Sequence, residues 1–238
     1  MNKAKFDPDD SRWQWLYRLG GIAALIVALF IPLQVVIFMA WPPPTTAQGY
    51  YTVFQNNPVI GLLNLDLLLI IDQVLGVVIL MALYIALRRT SETAMAIALV
   101  VGIVVAATYF ASNPAFNMLT LSHQYAAAVT DVQRALYLAA GESMLAIYNG
   151  TAFHVSYILG ALVGTVIGVV MWRSEVFSRA TASMAILANV ISLGLYVPVV
   201  GLYISIFSVL FLEIFYILVA RRFWQMGRRE SHLVLQPA

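Results

Sequence analysis

Six apolar stretches, at about residues 19–41, 59–87, 94–111, 143–172, 180–197 and 202–220, limit what this chain can fold into more than any other feature. At about 1.5 Å per residue, each is long enough to cross a hydrocarbon core of about 30 Å. In that core only segments that satisfy their own backbone groups survive, which here means helices. Of the 238 residues, 62% are hydrophobic and 10% charged, where soluble domains carry about 25% charged. The sequence therefore predicts an all-α polytopic membrane protein, a bundle of six transmembrane helices. The polar residues before the first stretch lack the small-residue cleavage pattern of a secretory signal, so that stretch reads as a retained span.

Orientation follows from the basic residues. With six spans and the amino terminus inside, the cytoplasmic face receives Lys3, Lys5, Arg12, Arg18, Arg88, Arg89, Arg173, Arg179, Arg221, Arg222, Arg228 and Arg229, leaving Arg134 as the exception among 13. Lysine and arginine concentrate on the cytoplasmic side of membrane proteins, so both termini are expected there. The expected organisation is a cytoplasmic segment at 1–18, a six-span domain at 19–221 and a cytoplasmic tail at 222–238. A net charge of +2 is too small to imply a nucleic-acid partner, and the lipid bilayer is the partner implied.

Local signals refine the spans. Pro32 predicts a kink in span one, and Pro42-Pro43-Pro44 ends it. Residues 45–58 are uncharged and close on Asn56-Asn57-Pro58, which reads as a turn-rich interfacial loop. Span two is taken as one continuous helix. Residues 115–142, with His123, Asp131, Gln133 and Arg134 among alanine, leucine and tyrosine, are too polar to span. They predict an amphipathic outer cap between spans three and four.

The stretch Asn64-Leu65-Asp66-Leu67-Leu68-Leu69-Ile70-Ile71-Asp72-Gln73 places two acids in an otherwise apolar helix. A carboxylate in hydrocarbon costs a few kcal/mol, so such a residue marks a candidate functional site. The cytoplasmic arginines serve as depth markers: Asp72 lies roughly 24 Å above Arg88, His154 roughly 28 Å above Arg173 and Gln34 roughly 24 Å above Arg18. Asp66 lies roughly 33 Å up, where the interface begins. On a continuous helix Asp66 and Asp72 diverge by about 120°. Asp72 is therefore expected to face His154, in a proton-linked polar pocket lined by Gln34 and Gln73 with Asp66 at its mouth. Asn189 and Glu213, roughly 15 and 12 Å above their arginines, form a second polar layer between spans five and six.

On span four, Ala152, Ser156, Gly160, Gly164 and Gly168 recur at every fourth residue. This small-residue stripe predicts very close packing of another helix, from this chain or from a partner in a homo- or hetero-oligomer. The bland reading of His154, Asn189 and Glu213 is a bonded structural residue.

Several chemistries fail on residue supply. There is no cysteine, and only His154 lies within a span, so zinc, haem and iron–sulfur sites lack ligands. No lysine follows Lys5 to form an intramembrane Schiff base, and no Gly-x-Ser-Gly element accompanies His154. No metal, cofactor or catalytic residue is indicated, and an enzyme is the weaker class.

The runs Asn64-Leu65-Asp66 through Asp72-Gln73, Ala82-Leu83-Tyr84-Ile85-Ala86-Leu87-Arg88-Arg89, Tyr109-Phe110-Ala111-Ser112-Asn113-Pro114-Ala115-Phe116-Asn117-Met118 and Gly150-Thr151-Ala152-Phe153-His154-Val155-Ser156-Tyr157 resemble a family of bacterial six-span membrane proteins classed only as a domain of unknown function. That resemblance covers nearly the whole chain after Arg18 and implies a six-helix fold in a bacterial inner membrane, with no activity or cofactor to carry over. The function expected is a small binding or transport protein. The competing expectation is a non-catalytic subunit or scaffold of a larger membrane complex, with an intramembrane enzyme third.

Overall fold

The computed structural model describes residues 12–228. Lys3, Lys5 and Arg229 of the charge count, and the rest of 1–11 and 229–238, lie outside the described residues. The described chain is all helix, without strands: α1 (Gln14–Ala40), α2 (Ala47–Asn56), α3 (Pro58–Asn64), α4 (Leu67–Leu87), α5 (Glu92–Ser112), α6 (Ala115–Ala127), α7 (Asp131–Tyr148), α8 (Thr151–Arg173), α9 (Arg179–Ser192) and α10 (Gly201–Arg228). Six helices are long and apolar enough to cross a membrane, which bears out the all-α six-span bundle.

The chain divides into two compact units. Within the described residues the first takes up 12–31, 74–105 and 158–228, and the second takes up 32–73 and 106–157. The first is an apolar helix bundle whose core includes Tyr17, Val27, Leu83, Leu87, Met95, Met171, Val219 and Phe223. Small residues set its closest approaches. A side chain at Gly20 would meet Ala82 and Phe223, and one at Gly168 would meet Ala185 and the backbone of Ile186. At the basic end, Arg18 Nε donates to the Gly227 carbonyl at 2.9 Å, and Phe223 and Met226 are buried. The segment expected to be a polar tail is therefore helical as far as Arg228 and packed, because its inward face is apolar. α1 likewise starts at Gln14, ahead of the expected boundary, and runs unbroken through Pro32.

The second unit carries the larger departures from the sequence reading. Residues 45–58 are not a loop: α2 forms there because Ala47, Tyr50, Tyr51 and Phe54 recur at i, i+3, i+4 and i+7, and all four are buried. Thr46 caps its start by accepting from Gly49 N, and Glu142 Oε1 accepts from Ala47 N at 2.8 Å, a carboxylate at the positive end of the helix. Asn57-Pro58 is a helix start rather than a simple turn. Asn57 Oδ1 accepts from Val59 N and Ile60 N, with Pro58 in the first turn.

Residues 115–142, expected to form an amphipathic cap, are helical as α6 and most of α7. α7 continues to Tyr148, so the fourth span begins at Thr151 rather than near 143. A small core of Ala47, Tyr50, Tyr51, Phe54, Leu65, Ala115 and Met118 holds this unit together. Gly61 leaves room for the Phe54 ring and Gly141 for the Tyr51 hydroxyl, which donates to the Tyr137 carbonyl at 2.7 Å. Burial first, and then the nearby Asp66 charge, pushes the Tyr50 phenol up to about 12. Tyr51 is pushed up to about 12 by burial and Glu142.

Candidate functional site

Span two is not continuous. α3 ends at Asn64, Leu65 and Asp66 form a turn, and α4 starts at Leu67. Asp66 takes φ 62°, the left-handed region that aspartate tolerates better than most residues. Broken backbone near the membrane must find partners within the protein, and here most of it does. Leu65 N donates to the carbonyls of Gly61 and Leu62, Asp66 N donates to Leu63 O, and Ile70 N donates to Asp66 O. Gln34 Nε2 donates to Leu63 O at 3.3 Å, and Asn113 Nδ2 donates to Leu65 O at 2.9 Å. Asn113 also starts α6, its Oδ1 accepting from Ala115 N at 3.0 Å. The residues that end span three thus hold the break in span two.

Around that turn lies a buried polar cluster. The Tyr148 hydroxyl, from the end of α7, donates to Asp66 Oδ2. The Tyr109 hydroxyl, from α5, is buried beside Asp66 without a partner of good hydrogen-bond geometry. Asp66 sits in the turn between α3 and α4, within the stretch read as span two.

Three side chains here are more than nine-tenths buried and keep polar atoms without partners. Asn64, 2% exposed, has neither its Oδ1 nor its Nδ2 satisfied. Gln34, 7% exposed, leaves Oε1 open after donating to Leu63 O, and Tyr109, 6% exposed, leaves its hydroxyl open. Asp72 Oδ1 is buried and unpartnered too, on a side chain that is half-buried overall. Each such atom forgoes about 1–3 kcal/mol.

In comparisons of sequence and structure, no family model, curated protein or solved structure matches this chain.

The structure does not bring Asp72 and His154 together. Asp72 Oδ1 is buried without a hydrogen-bond partner, while His154 has an exposed side chain on α8 with its ring edge-on to Phe153 at 5.4 Å between centroids. Depth alone placed the pair; it cannot tell on which side of α8 the imidazole leaves the helix. Asp66, expected at a pocket mouth, is instead the most heavily bonded acid of the cluster and as buried as a core residue. The 120° divergence of the two acids assumed an unbroken helix. The left-handed turn at Asp66 resets the phase. Gln73 is half-buried and takes no part in this hydrogen-bond network.

Asn189 and Glu213 do not bond each other. Asn189 Nδ2 donates to Ala185 O on its own helix at 2.7 Å, and Glu213 Oε2 is buried without a partner. The glycine stripe divides by position. Gly164 makes room for the Asn189 side chain and Gly168 for Ile186, both on α9, whereas a side chain at Gly160 would make only an ordinary contact with Val105 at 3.5 Å. Ser156 is buried.

Tyr109, Tyr148 and Asn113 were missed as site residues. Asn113 carried a signal, since Asn-Pro after an apolar run marks both a stop and a cap. The two tyrosines, from helices distant in sequence, carried none.

Proposed function

We propose that this chain is a small binding or transport protein of a bacterial inner membrane, with both termini cytoplasmic, that takes a small polar solute at the break in span two. The carrying observation is Asn64: a side chain buried to 2% beside broken backbone, with both ends of its amide unpaired. A residue kept only for packing would gain by being apolar, since exchanging an unpaired amide for a similar hydrocarbon is neutral or stabilising. Broken spans with polar linings are the usual form of solute sites in transporters, because the turn frees backbone and side-chain groups for a ligand. Asp66 and Asp72 are the groups whose charge state would link occupancy to protons.

The test is a thermal-stability screen of the purified full chain in nanodiscs against neutral, anionic and cationic small solutes, followed by uptake into proteoliposomes. At least one solute is expected to raise the melting temperature of the wild type and not of Asn64→Leu, a variant expected to be as stable as the parent or more so. If no solute shifts the wild type and Asn64→Leu keeps every measured uptake, the site is structural. The scaffold reading is less well supported, because Gly164 and Gly168, the stripe positions that force a close approach, already receive α9 of the same chain.

A further inference from the structure

In the first unit the start of α1 and the end of α10 pack against each other. Arg18 Nε donates to the Gly227 carbonyl at 2.9 Å, the Tyr17 and Phe223 rings lie 5.9 Å apart between centroids, and a side chain on Gly21 would touch Phe223 and Trp224. Residues 12–21 and 220–228 together hold five arginines, three tryptophans and no acid. The paired ends therefore concentrate positive charge that nothing within them balances.

Local preference explains only part of this. The negative end of a helix dipole favours a cation, which accounts for Arg228 in the last turn of α10. It does not account for Arg221 and Arg222 further in, nor for Arg12 and Arg18 at the start of α1, where the dipole gives a cation no help. A charge bias that sets orientation needs the charges but not their placement. Here the guanidinium groups are held: Arg18 by the Gly227 carbonyl, Arg228 over the Trp224 ring at 5.5 Å and Arg12 over the Trp13 ring at 5.4 Å.

Helical phase joins these groups to an apolar strip. On α10, Ile217, Arg221, Trp224 and Arg228 fall within about 60° of one another, and all four are exposed. On α1, Trp15, Arg18, Leu19 and Ile22 are exposed within about 100°. Passing inward from either helix end, each face changes from guanidinium and indole to bare aliphatic side chains. That is the order of an anionic head, an interfacial region and an acyl chain.

We propose that the paired ends of α1 and α10 bind an anionic phospholipid, its phosphodiester held by Arg18, Arg221 and Arg228 and its acyl chains laid along Leu19, Ile22 and Ile217. Guanidinium grips two phosphate oxygens at once and stacks on indole, which an ammonium does less well. A soluble anion would use none of the aliphatic strip, and a zwitterionic lipid would bring an ammonium toward clustered arginines. Basic recesses between spans at a membrane face are suited to anionic head groups. The site lies wholly in the first unit and does not depend on the break in span two.

The experiment uses the purified full chain, with Asp7, Asp9, Asp10 and Glu230 present as competing charges. Phosphatidylglycerol is titrated into phosphatidylcholine nanodiscs, and the melting temperature is followed. A saturable rise is expected. In Arg221→Gln/Arg228→Gln the half-saturating fraction should increase by roughly tenfold or more, since contacts between charged groups are lost. Arg89→Gln/Arg173→Gln makes the same change in net charge at exposed arginines of this unit outside the two ends, and should leave that fraction nearly where it is. Arg18→Lys, which keeps the charge and loses the planar fork, gives a second reading and should also raise it. Equal shifts in the two double variants would reduce the effect to surface charge and overturn the site. So would a melting temperature indifferent to phosphatidylglycerol, or an equal rise when inorganic phosphate is added to pure phosphatidylcholine nanodiscs.

Discussion

Two asparagines set the units of this molecule against each other. In the first unit Asn189 fills the space above Gly164 and returns its Nδ2 to its own helix at Ala185 O. In the second, Asn64 is more deeply buried and pairs with nothing. The first unit spends its small residues on contact: Gly20, Gly164 and Gly168 each receive a neighbour's atoms. The second uses side chains to repair a broken helix, through Gln34, Asn113 and Tyr148, and still leaves oxygens open. Without a hydrophobic force between helices in lipid, close packing holds a bundle together. Polar groups beyond what packing needs call for another explanation.

The contrast breaks most readily at Gly168. A leucine there would drive its Cβ onto Ala185 and the Ile186 backbone nitrogen, which cannot swing aside. Gly168→Leu is expected to cost about 3 kcal/mol or more, read as loss of the folded fraction in detergent unfolding. An unchanged transition would mean that α8 and α9 are not locked as described. Asn64→Leu should act with the opposite sign, which makes the pair of variants a direct measure of the difference between the units.

A middle-sized effect is expected at Tyr148. Tyr148→Phe removes the hydroxyl that donates to Asp66 and should cost about 1.5–3 kcal/mol, the range for a hydrogen bond to a charged group. The loss should be largest at alkaline pH and shrink as acidification protonates the Asp66 carboxyl. A cost that does not vary with pH would show that the phenol matters only for its packing.

The smallest signal is spectroscopic. Tyr50 and Tyr51 are held up to about 12, so the fold favours their neutral phenols. Their contribution to stability is complete below the ordinary value of 10 and is lost as the pH rises through about 12. Ultraviolet titration should therefore show phenolate absorbance from these two appearing late, with Tyr50→Phe and Tyr51→Phe each removing part of the late phase. Early titration of both would mean that α2 is not packed as found.

Some of this was legible in the residues. The Ala47, Tyr50, Tyr51, Phe54 spacing was already a helix signature inside a segment whose proline and asparagines spoke for a loop. Asn57-Pro58 was a cap and a first turn together. Asn64-Leu65-Asp66 held two of the few residues that accept a left-handed backbone, yet nothing in a run of leucines and isoleucines requires a break at that point. The break is stable because Asn113, Gln34 and Tyr148 satisfy groups that an isolated helix would have satisfied itself.

Sequence by itself determined the six apolar helices and the helical segment between spans three and four, because length and hydropathy act locally along the chain. Tertiary structure decided which polar groups meet. The acid thought to face His154 has a buried oxygen without a partner, and the acid thought to sit at the rim is bonded to Tyr148, because one left-handed residue rotates everything beyond it and no helical wheel drawn through the break can follow.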